Sequence, residues 1–440
     1  MLTPHEILMP SRVARSRCGF QTMKTANISP DAKAVRVIYI VTSSFSLRLV
    51  PGQLDYLQRA GFDVTIACSP GEELREAKRD GLQIIAVPMA REISLWIDLV
   101  SLWRLARTIW RLRPTITNVS TPKAGLLGGI AAWACRTPCR YYTLLGLRCE
   151  TTTGLKRMLL LWTERIACRC AHRVICVSES LRQKAIDLGV VNADRTLVLG
   201  SGSGNGVDAE RFAPNVDTLR RATELRGHLG IPADAPVVGF VGRLTRDKGI
   251  GELVEAHIKL RKRFPAVRLL LVGDVEQGDP LPPETRRIME TEPQIIQTGF
   301  VEDPPPYYHI MNVLAFPTHR EGFGNAPLEA HAAGKPVVAA RATGVLDGVI
   351  DGVTGILVPV GDVAALAEAL ELVLKDPSLA VALGSAGRER VLREFRQERV
   401  WDAIIGEYLQ HLQVKGLSVP SPTDANVIMT AVPTTPVLSR

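Results

Sequence analysis

Val313-Leu-Ala-Phe-Pro317-Thr-His-Arg-Glu321-Gly-Phe-Gly-Asn-Ala-Pro-Leu-Glu329 reads as a strand, a loop and the start of a helix. The run Val313–Phe316 is apolar and short enough for a buried strand, and Pro317 ends it. Gly322 and Gly324 make a tight loop, and Ala326 to Ala333 opens a helix with Pro327 in its first turn. Glu321 therefore hangs on a strand-to-helix loop, and Glu329 stands in the first turns of the helix. Backbone N–H groups lie between them, and a helix start of this kind binds anions, phosphates above all. An ionised carboxylate only accepts hydrogen bonds, so two of them beside a phosphate cradle suit the hydroxyls of a sugar and a ribose. A Gly-rich loop with two acids is also ordinary punctuation in α/β proteins, so the surrounding chain has to decide between the two readings.

Working outward, short apolar runs alternate with helical stretches. Val35–Val41, Val64–Ala67, Gln83–Val87, Thr115–Val119, Arg140–Leu144 and Val174–Val177 read as buried strands in the front half. Val237–Val241, Arg268–Val272, Ile295–Thr298, Val313–Phe316 and Val337–Ala340 do so in the back half, with helices over Ile250–Arg263, Pro283–Thr291 and Val363–Leu374. This alternation implies α/β architecture: two doubly wound domains in tandem, each a parallel sheet with helices on both faces. Ligands of such sheets bind outside the carboxyl ends of the strands, so a ligand held by both domains would lie in the cleft between them. Between the halves, after a strand at Leu197–Leu199, stands Gly200-Ser-Gly-Ser-Gly-Asn-Gly206. A dinucleotide fingerprint would need a glycine at 205 or 207, which are Asn and Val, so the run reads as a flexible linker and hinge. Val391–Leu412 reads as one long helix with Phe395, Trp401, Ile405 and Tyr408 at helical spacing.

The expected organisation is a disordered basic extension over 1–30, a first Rossmann-like domain over 31–205, a second over 206–390, a C-terminal helix over 391–415 and a disordered tail over 416–440. The 440 residues are 46% hydrophobic, enough for two cores. Eight cysteines at 18, 68, 135, 139, 149, 168, 170 and 176 form no CxxC pair, which argues against a zinc clip and fits a reducing cytoplasm. Residues 1–200 carry 28 Lys+Arg against 15 Asp+Glu, and residues 201–440 carry 25 against 30. The basic front half suits an anionic partner: lipid headgroups, a diphosphate-bearing acceptor or nucleic acid. No nucleic-acid motif accompanies the charge, so nucleic acid is the weakest of the three. The first 30 residues lack the apolar core of a secretory signal, and no stretch reaches the 18 to 20 apolar residues, roughly, of a membrane span.

Phe240-Val-Gly-Arg243-Leu-Thr-Arg-Asp-Lys248-Gly249 is a strand running into a loop that opens a helix. Arg243 and Lys248 leave the strand end where a phosphate would sit, one as a planar fork and one as a point charge, unless they are ordinary solvated cations. Gln297-Thr-Gly-Phe-Val301 ends another strand with a small-residue turn on which a nucleobase could rest.

Gly242-Arg243…Lys248-Gly249, Leu271-Val-Gly-Asp274, Thr298-Gly-Phe-Val301, Glu321-Gly-Phe-Gly…Glu329 and Asp351-Gly-Val-Thr-Gly-Ile-Leu-Val358 occur in that order. Together they resemble the donor domain of retaining GT-B glycosyltransferases with an E-x7-E motif (group 1, family 4-like), over about residues 236–375. The front half is similar more loosely, through Ser120-Thr-Pro-Lys-Ala-Gly125, Gly146-Leu-Arg148 and Val177-Ser-Glu-Ser180. It resembles transferases that build capsule, O-antigen or exopolysaccharide repeats on an undecaprenyl-diphosphate carrier.

The resemblance implies two Rossmann-like domains facing across a cleft and transfer of a hexose or N-acetylhexosamine from a nucleotide-diphosphate sugar, UDP-linked, to a lipid-linked or oligosaccharide acceptor. It implies that Arg243 and Lys248 neutralise the donor diphosphate, with Glu321 as the third catalytic residue, holding the sugar hydroxyls. The backbone of Phe323, Gly324 and Asn325 would add N–H donors, Glu329 would accept the ribose hydroxyls, and Thr298 and Val301 would frame the base. Lys123 and Arg148 are the acceptor-side candidates, and neither a metal nor a cofactor is required. Many relatives carry a histidine after the fifth front-half strand, where this chain has Leu145, with Arg148 the nearest polar group. His319, two residues before Glu321, reads as a plain loop residue.

Membrane contact has its own signal. Ser94–Arg113 reads as a helix with Trp96, Leu99, Trp103, Leu105, Ile109 and Trp110, while Arg104, Arg107 and Arg111 share a face. Lys156, Arg157 and Met158–Trp162 form a second candidate. Both could equally be amphipathic helices packed on the sheet. The expectation is a cytoplasmic protein peripheral on the inner face of the plasma membrane. The competing readings are a nucleotide-sugar epimerase or hydrolase, and a non-catalytic nucleotide-sugar-binding protein.

Overall fold

The computed structural model describes residues 35–421 except 51, 72, 75–81, 90–93 and 277. The proposed extension over 1–30 and most of the tail over 416–440 lie outside the described residues.

Thirteen strands form two wholly parallel sheets among the described residues. The first holds β1 (Val35–Ser43), β2 (Phe62–Ser69), β3 (Gln83–Ala86), β4 (Ile116–Ser120), β5 (Cys139–Leu144), β6 (Arg173–Cys176) and β7 (Thr196–Leu197), in the order β3-β2-β1-β4-β5-β6-β7. The second holds β8 (Val237–Val241), β9 (Arg268–Val272), β10 (Ile295–Gln297), β11 (Val313–Phe316), β12 (Val337–Ala340) and β13 (Gly355–Val358), in the order β10-β9-β8-β11-β12-β13. Each sheet is wound outward from its first strand and then reverses, so β1/β4 and β8/β11 are the two switch points. Registers there are fixed by pairs such as Val37 with Ile116 and Val313 with Val238. Every residue of β11 and β12 is buried, as expected of strands covered by helices on both faces.

The Gly200–Gly206 run is packed rather than a free tether. The Ser203 amide donates to the Val177 carbonyl at 2.6 Å, Val207 N–H donates to the Phe395 carbonyl at 2.8 Å, and Asn205 accepts from the Trp401 indole at 2.8 Å. The long helix expected over Val391–Leu412 is two helices, Pro377–Glu394 and Gln397–Val414. Phe395 breaks them because its buried ring packs against Phe323, with centroids 5.3 Å apart, while its carbonyl holds Val207. The break lets Gln397–Val414 return to the first lobe. There Tyr408 meets the Tyr39 hydroxyl at 3.0 Å and accepts from Asn118 at 2.7 Å, and the Tyr56 hydroxyl donates to Asp402 at 2.7 Å. Val400, Ile404, Ile405, Tyr408 and Leu412 complete the core above β1, β2 and β5.

Helix Leu95–Leu112 packs on the first lobe through buried Ser101, Leu105 and Ile109. Its other side leaves Trp96, Leu99, Trp103 and Trp110 exposed, Trp96 at 82%. Helix Gly154–Cys170 likewise exposes Leu155, Met158, Leu159 and Trp162. No described helix is long and apolar enough to cross a membrane.

Candidate functional site

The site grows from the β8/β11 switch point. Past β8, Leu244 N–H donates to the Asp274 carbonyl at 2.8 Å, so the loops after β8 and β9 continue the ladder by a step. This fixes Arg243, whose half-exposed guanidinium is ion-paired to Glu276. The chain then makes a tight turn over Arg246–Lys248 before helix Ile250–Arg261. The turn fits only because Gly249 has φ 73° and no side chain: a Cβ there would stand 2.1 Å from the Pro317 carbonyl oxygen. That contact brings the loop after β8 against the loop after β11, and Lys248 Nζ pairs with Glu321 Oε1. Both side chains are mostly buried, and Lys248 also lies 6.0 Å from the centre of the Phe316 ring.

The two loops are cross-braced. Asp247 accepts from Arg320 at 2.7 Å, and its carbonyl accepts the His319 amide at 2.9 Å. His319 Nε2 meets Glu252 at 2.6 Å, and that bond pushes the imidazole up from its ordinary value. His319 is therefore a brace to the first turn of helix Ile250–Arg261.

Helix Asn325–Ala332 follows, with Gly324 as its N-cap and Asn325 exposed. The first N–H groups of a helix have no intrahelical partner, so this end presents donors and partial positive charge. The Phe323 side chain is buried against Phe395 and leaves only its backbone for the site. Glu329 accepts the Tyr308 hydroxyl at 2.6 Å. Burial pushes the Glu329 carboxyl up, against the opposing effect of that hydrogen bond. Tyr308, from helix Pro305–Ile310, is a partner that sequence reading missed.

Thr298 and Val301 lie past β10, both partly exposed. Thr298 Oγ1 donates to the Gly299 carbonyl at 2.9 Å, and Asp274 accepts the Phe300 amide at 2.9 Å. The sheet edge thus presents, in strand order, Thr298–Val301 past β10, Asp274 past β9, Arg243 past β8 and Glu321 past β11.

The first lobe closes over this edge. The carbonyl of Leu145, past β5, is so near Gly322 that a Cβ there would stand 2.1 Å away. The Ser178 hydroxyl donates to the Gly322 carbonyl at 2.6 Å. Asp347 accepts the Glu179 amide at 2.8 Å and the Ser180 hydroxyl, capping helix Glu179–Asp187 from the other lobe. The Thr343 hydroxyl donates to Glu150 at 2.7 Å; burial pushes that carboxyl up, and its Oε1 has no hydrogen-bond partner among the described residues. None of these contacts is visible as a local pattern, although Val177–Ser180 is one of the front-half segments that carry the family resemblance.

The acceptor-side candidates differ from each other. Lys123, in helix Pro122–Ala134, is ion-paired to Asp98 at 2.8 Å, so its charge is partly spent on helix Leu95–Leu112. Arg148 is exposed. The first switch point also holds Thr121 at φ 71° and ψ 146°, a region that a β-branched residue adopts at a cost of about 1–3 kcal/mol. Its hydroxyl meets that of Thr42 at 2.7 Å. A narrow pocket of about 40 Å³ is lined there by Tyr39, Asn118, Thr121 and Thr143 together with apolar Leu54 and Ile175 among others.

Comparison with known proteins bears on the whole arrangement. Residues 222–390 match the family described as glycosyl transferases group 1, and residues 50–202 match the glycosyl transferase 4-like domain. The chain is 37% identical over 376 residues to the capsular polysaccharide biosynthesis glycosyltransferase CapM of Staphylococcus aureus, covering 86% of this chain and 97% of that protein. It is 26% identical over 361 residues to an Escherichia coli UDP-Gal:alpha-D-GlcNAc-diphosphoundecaprenol alpha-1,3-galactosyltransferase, covering 81% and 91%. Anabaena HepE, solved with UDP and glucose, superposes with a TM-score of 0.69 at 22% identity over 85% of this chain and 99% of that one, a likeness of fold. The chain is a GT-B glycosyltransferase and belongs to the group 1 glycosyltransferase family, with a glycosyl transferase 4-like first domain.

Proposed function

We propose that the protein transfers a hexose or N-acetylhexosamine, with retention of anomeric configuration, from a UDP-linked sugar to a lipid-diphosphate-linked glycan in cell-surface polysaccharide assembly. The observation that carries this reading is the order of groups along the second sheet's edge. From the loop past β10 to the loop past β11 is three strand spacings, about 14 Å. Base frame, cation and acid follow one another there as base, diphosphate and sugar do in a nucleotide sugar. The acceptor class rests on the relatedness to CapM and to the galactosyltransferase that acts on a diphosphoundecaprenol-linked sugar.

In this reading the diphosphate enters between Arg243, Lys248 and the N–H groups of Phe323, Gly324 and Asn325. Lys248 then shares its charge between Glu321 and a phosphate oxygen. Glu321 accepts hydrogen bonds from sugar hydroxyls, Glu329 from the ribose, and Thr298 and Val301 border the base. As the sugar–phosphate bond breaks, its electron pair goes to the departing diphosphate, where two cations and a helix N-terminus stabilise it without a metal. The acceptor hydroxyl forms the new glycosidic bond, and its proton passes to the departing phosphate oxygen. The pocket at the first switch point, with Lys123 and Arg148 nearby, receives the acceptor. Exposed tryptophans on Leu95–Leu112 and Gly154–Cys170, with Arg107 5.6 Å from the Trp103 ring, suit a headgroup interface on the cytoplasmic side.

The test is nucleotide release from a panel of nucleotide sugars, with and without a lipid-diphosphate-sugar acceptor, in the presence and absence of chelator. Release that requires acceptor and ignores chelator is expected. Equal release without acceptor would make the protein a hydrolase, and stabilisation by donor without turnover would make it a sensor.

A further inference from the structure

We infer that Glu276 is a positioning residue that competes with the donor diphosphate for Arg243 on entry, and with the nucleoside diphosphate before its release. The inference rests on the assignment of Arg243 to the diphosphate made above.

The two cations of the site are both paired, but to different kinds of partner. Lys248 is held by Glu321, itself a member of the site. Arg243 is held by Glu276, to which the transfer reaction assigns nothing. The pair is built in rather than incidental. Leu244 and Val275 form a parallel bridge, and Glu276 N–H returns to the Leu244 carbonyl at 3.4 Å, so the backbone sets the carboxylate opposite the guanidinium. The Glu276 side chain is only 17% exposed, against 52% for Arg243. The acid is thus seated while the cation keeps an open side. The same segment meets the cationic loop again at Asp279, which accepts the Asp247 amide at 2.9 Å and lies 3.5 Å from Arg246. A carboxylate and a phosphate offer a guanidinium the same pair of oxygen acceptors, so one can stand in for the other. Exchange of one anion for another keeps Arg243 oriented and lowers the net gain on binding diphosphate, which speeds product departure.

The experiment measures dissociation constants of UDP and GDP for the full chain, with donor KM and kcat, in Glu276→Gln, Arg243→Ala and the double variant. Glu276→Gln should tighten the diphosphate about two- to fivefold, the range set by a partly exposed ion pair. Donor KM should fall by a similar factor without a rise in kcat. In the Arg243→Ala background the same change should have no effect, because the competitor has lost its target. If Glu276→Gln leaves binding unchanged or weakens it while Arg243→Ala still weakens it, the inference is wrong and the donor assignment stands. An equal tightening with and without Arg243 would overturn the inference in favour of a general field effect. If Arg243→Ala leaves diphosphate affinity intact, both fall together.

Discussion

The two lobes share a strand order and differ in what they place at the switch point. The second lobe concentrates charge there: Arg243, Lys248 and Glu321 meet within two loops, and each is already paired. The first lobe places hydroxyls there, from Thr42, Thr121 and Thr143, with the Lys123–Asp98 pair at the margin. Charge set in a partly buried, fixed arrangement discriminates developing charge in a transition state, whereas hydroxyls recognise by hydrogen-bond geometry. Under the proposed function, the chemistry belongs to one lobe and the choice of acceptor to the other.

The sharpest way to break that division is to remove one group from each side. Glu321→Gln should lower kcat by about 10²–10³, the scale of one electrostatic contact in a preorganised site, and should also lower the thermal midpoint, because the mostly buried Lys248 loses its counter-charge. Lys123→Ala should act mainly on acceptor KM. Comparable losses in kcat from both variants would erase the distinction.

Each lobe also buries titratable groups that burial shifts. In the first, Glu164 takes the Tyr142 hydroxyl at 2.7 Å, and burial pushes its carboxyl up to about 7. In the second, burial pushes His257 and His331 down to about 4, and neither nitrogen of His257 has a partner among the described residues. The folded state binds the Glu164 proton more tightly than the unfolded state. That contribution is full below the ordinary carboxylate range and is lost as pH rises through about 7. The two histidines charge more easily when unfolded, so their contribution is present above about 6.5 and is lost as pH falls towards 4. Glu164→Gln should therefore gain on the parent protein as pH rises from 5 to 8, by up to about 3 kcal/mol in denaturant unfolding. A pH-independent difference would show that Glu164 ionises freely.

What could be read from the chain follows the same division. Val237–Val241, Arg268–Val272, Val313–Phe316 and Val337–Ala340 occur as expected, because parallel strands covered on both faces are bare apolar runs. Arg243, Lys248 and Glu321 could be singled out as candidates because each follows the end of such a strand, and the family resemblance supplied their roles. The partners could not. Tyr308 reaches Glu329, Ser178 reaches Gly322 and Asp347 reaches Glu179 across long stretches of chain, and no local period encodes that. The end of the helix at Phe395 was hidden too. No Gly or Pro marks it, and its cause is a carbonyl taken by Val207 and a ring packed against Phe323.

Gly322 tests how far the division of labour depends on contact between the lobes. Gly322→Ala places a methyl 2.1 Å from the Leu145 carbonyl, and backbone on both sides must move. A shift near 1 Å at the acid loop should cost about tenfold to a hundredfold in kcat/KM. Gly227, in helix Val216–His228 with no atom within 4 Å of an added Cβ, is the control. Gly227→Ala should be neutral or stabilise by about 0.4–1 kcal/mol. An active Gly322→Ala enzyme would mean that chemistry proceeds with the lobes farther apart than they stand here.

The smallest expected effect concerns the outer face of the first lobe, which among the described residues exposes more tryptophan than the second. Leu105 and Ile109 turn inward from helix Leu95–Leu112, while Trp103 and Trp110 turn outward. Replacing both with serine leaves the core untouched and should not lower the thermal midpoint. If the face seats on headgroups, the double variant should lose about tenfold in binding to vesicles of mixed anionic and zwitterionic lipid, since each buried indole contributes on the order of 1 kcal/mol. Turnover of a short-chain, water-soluble acceptor should be unaffected, and turnover of a long-chain acceptor in vesicles should fall with binding. Raised salt should weaken the parent protein through Arg104, Arg107 and Arg111, and the variant in parallel. Equal vesicle binding by parent and variant would place the membrane contact elsewhere or nowhere, and would leave the tryptophans as one more surface on which the two lobes merely differ.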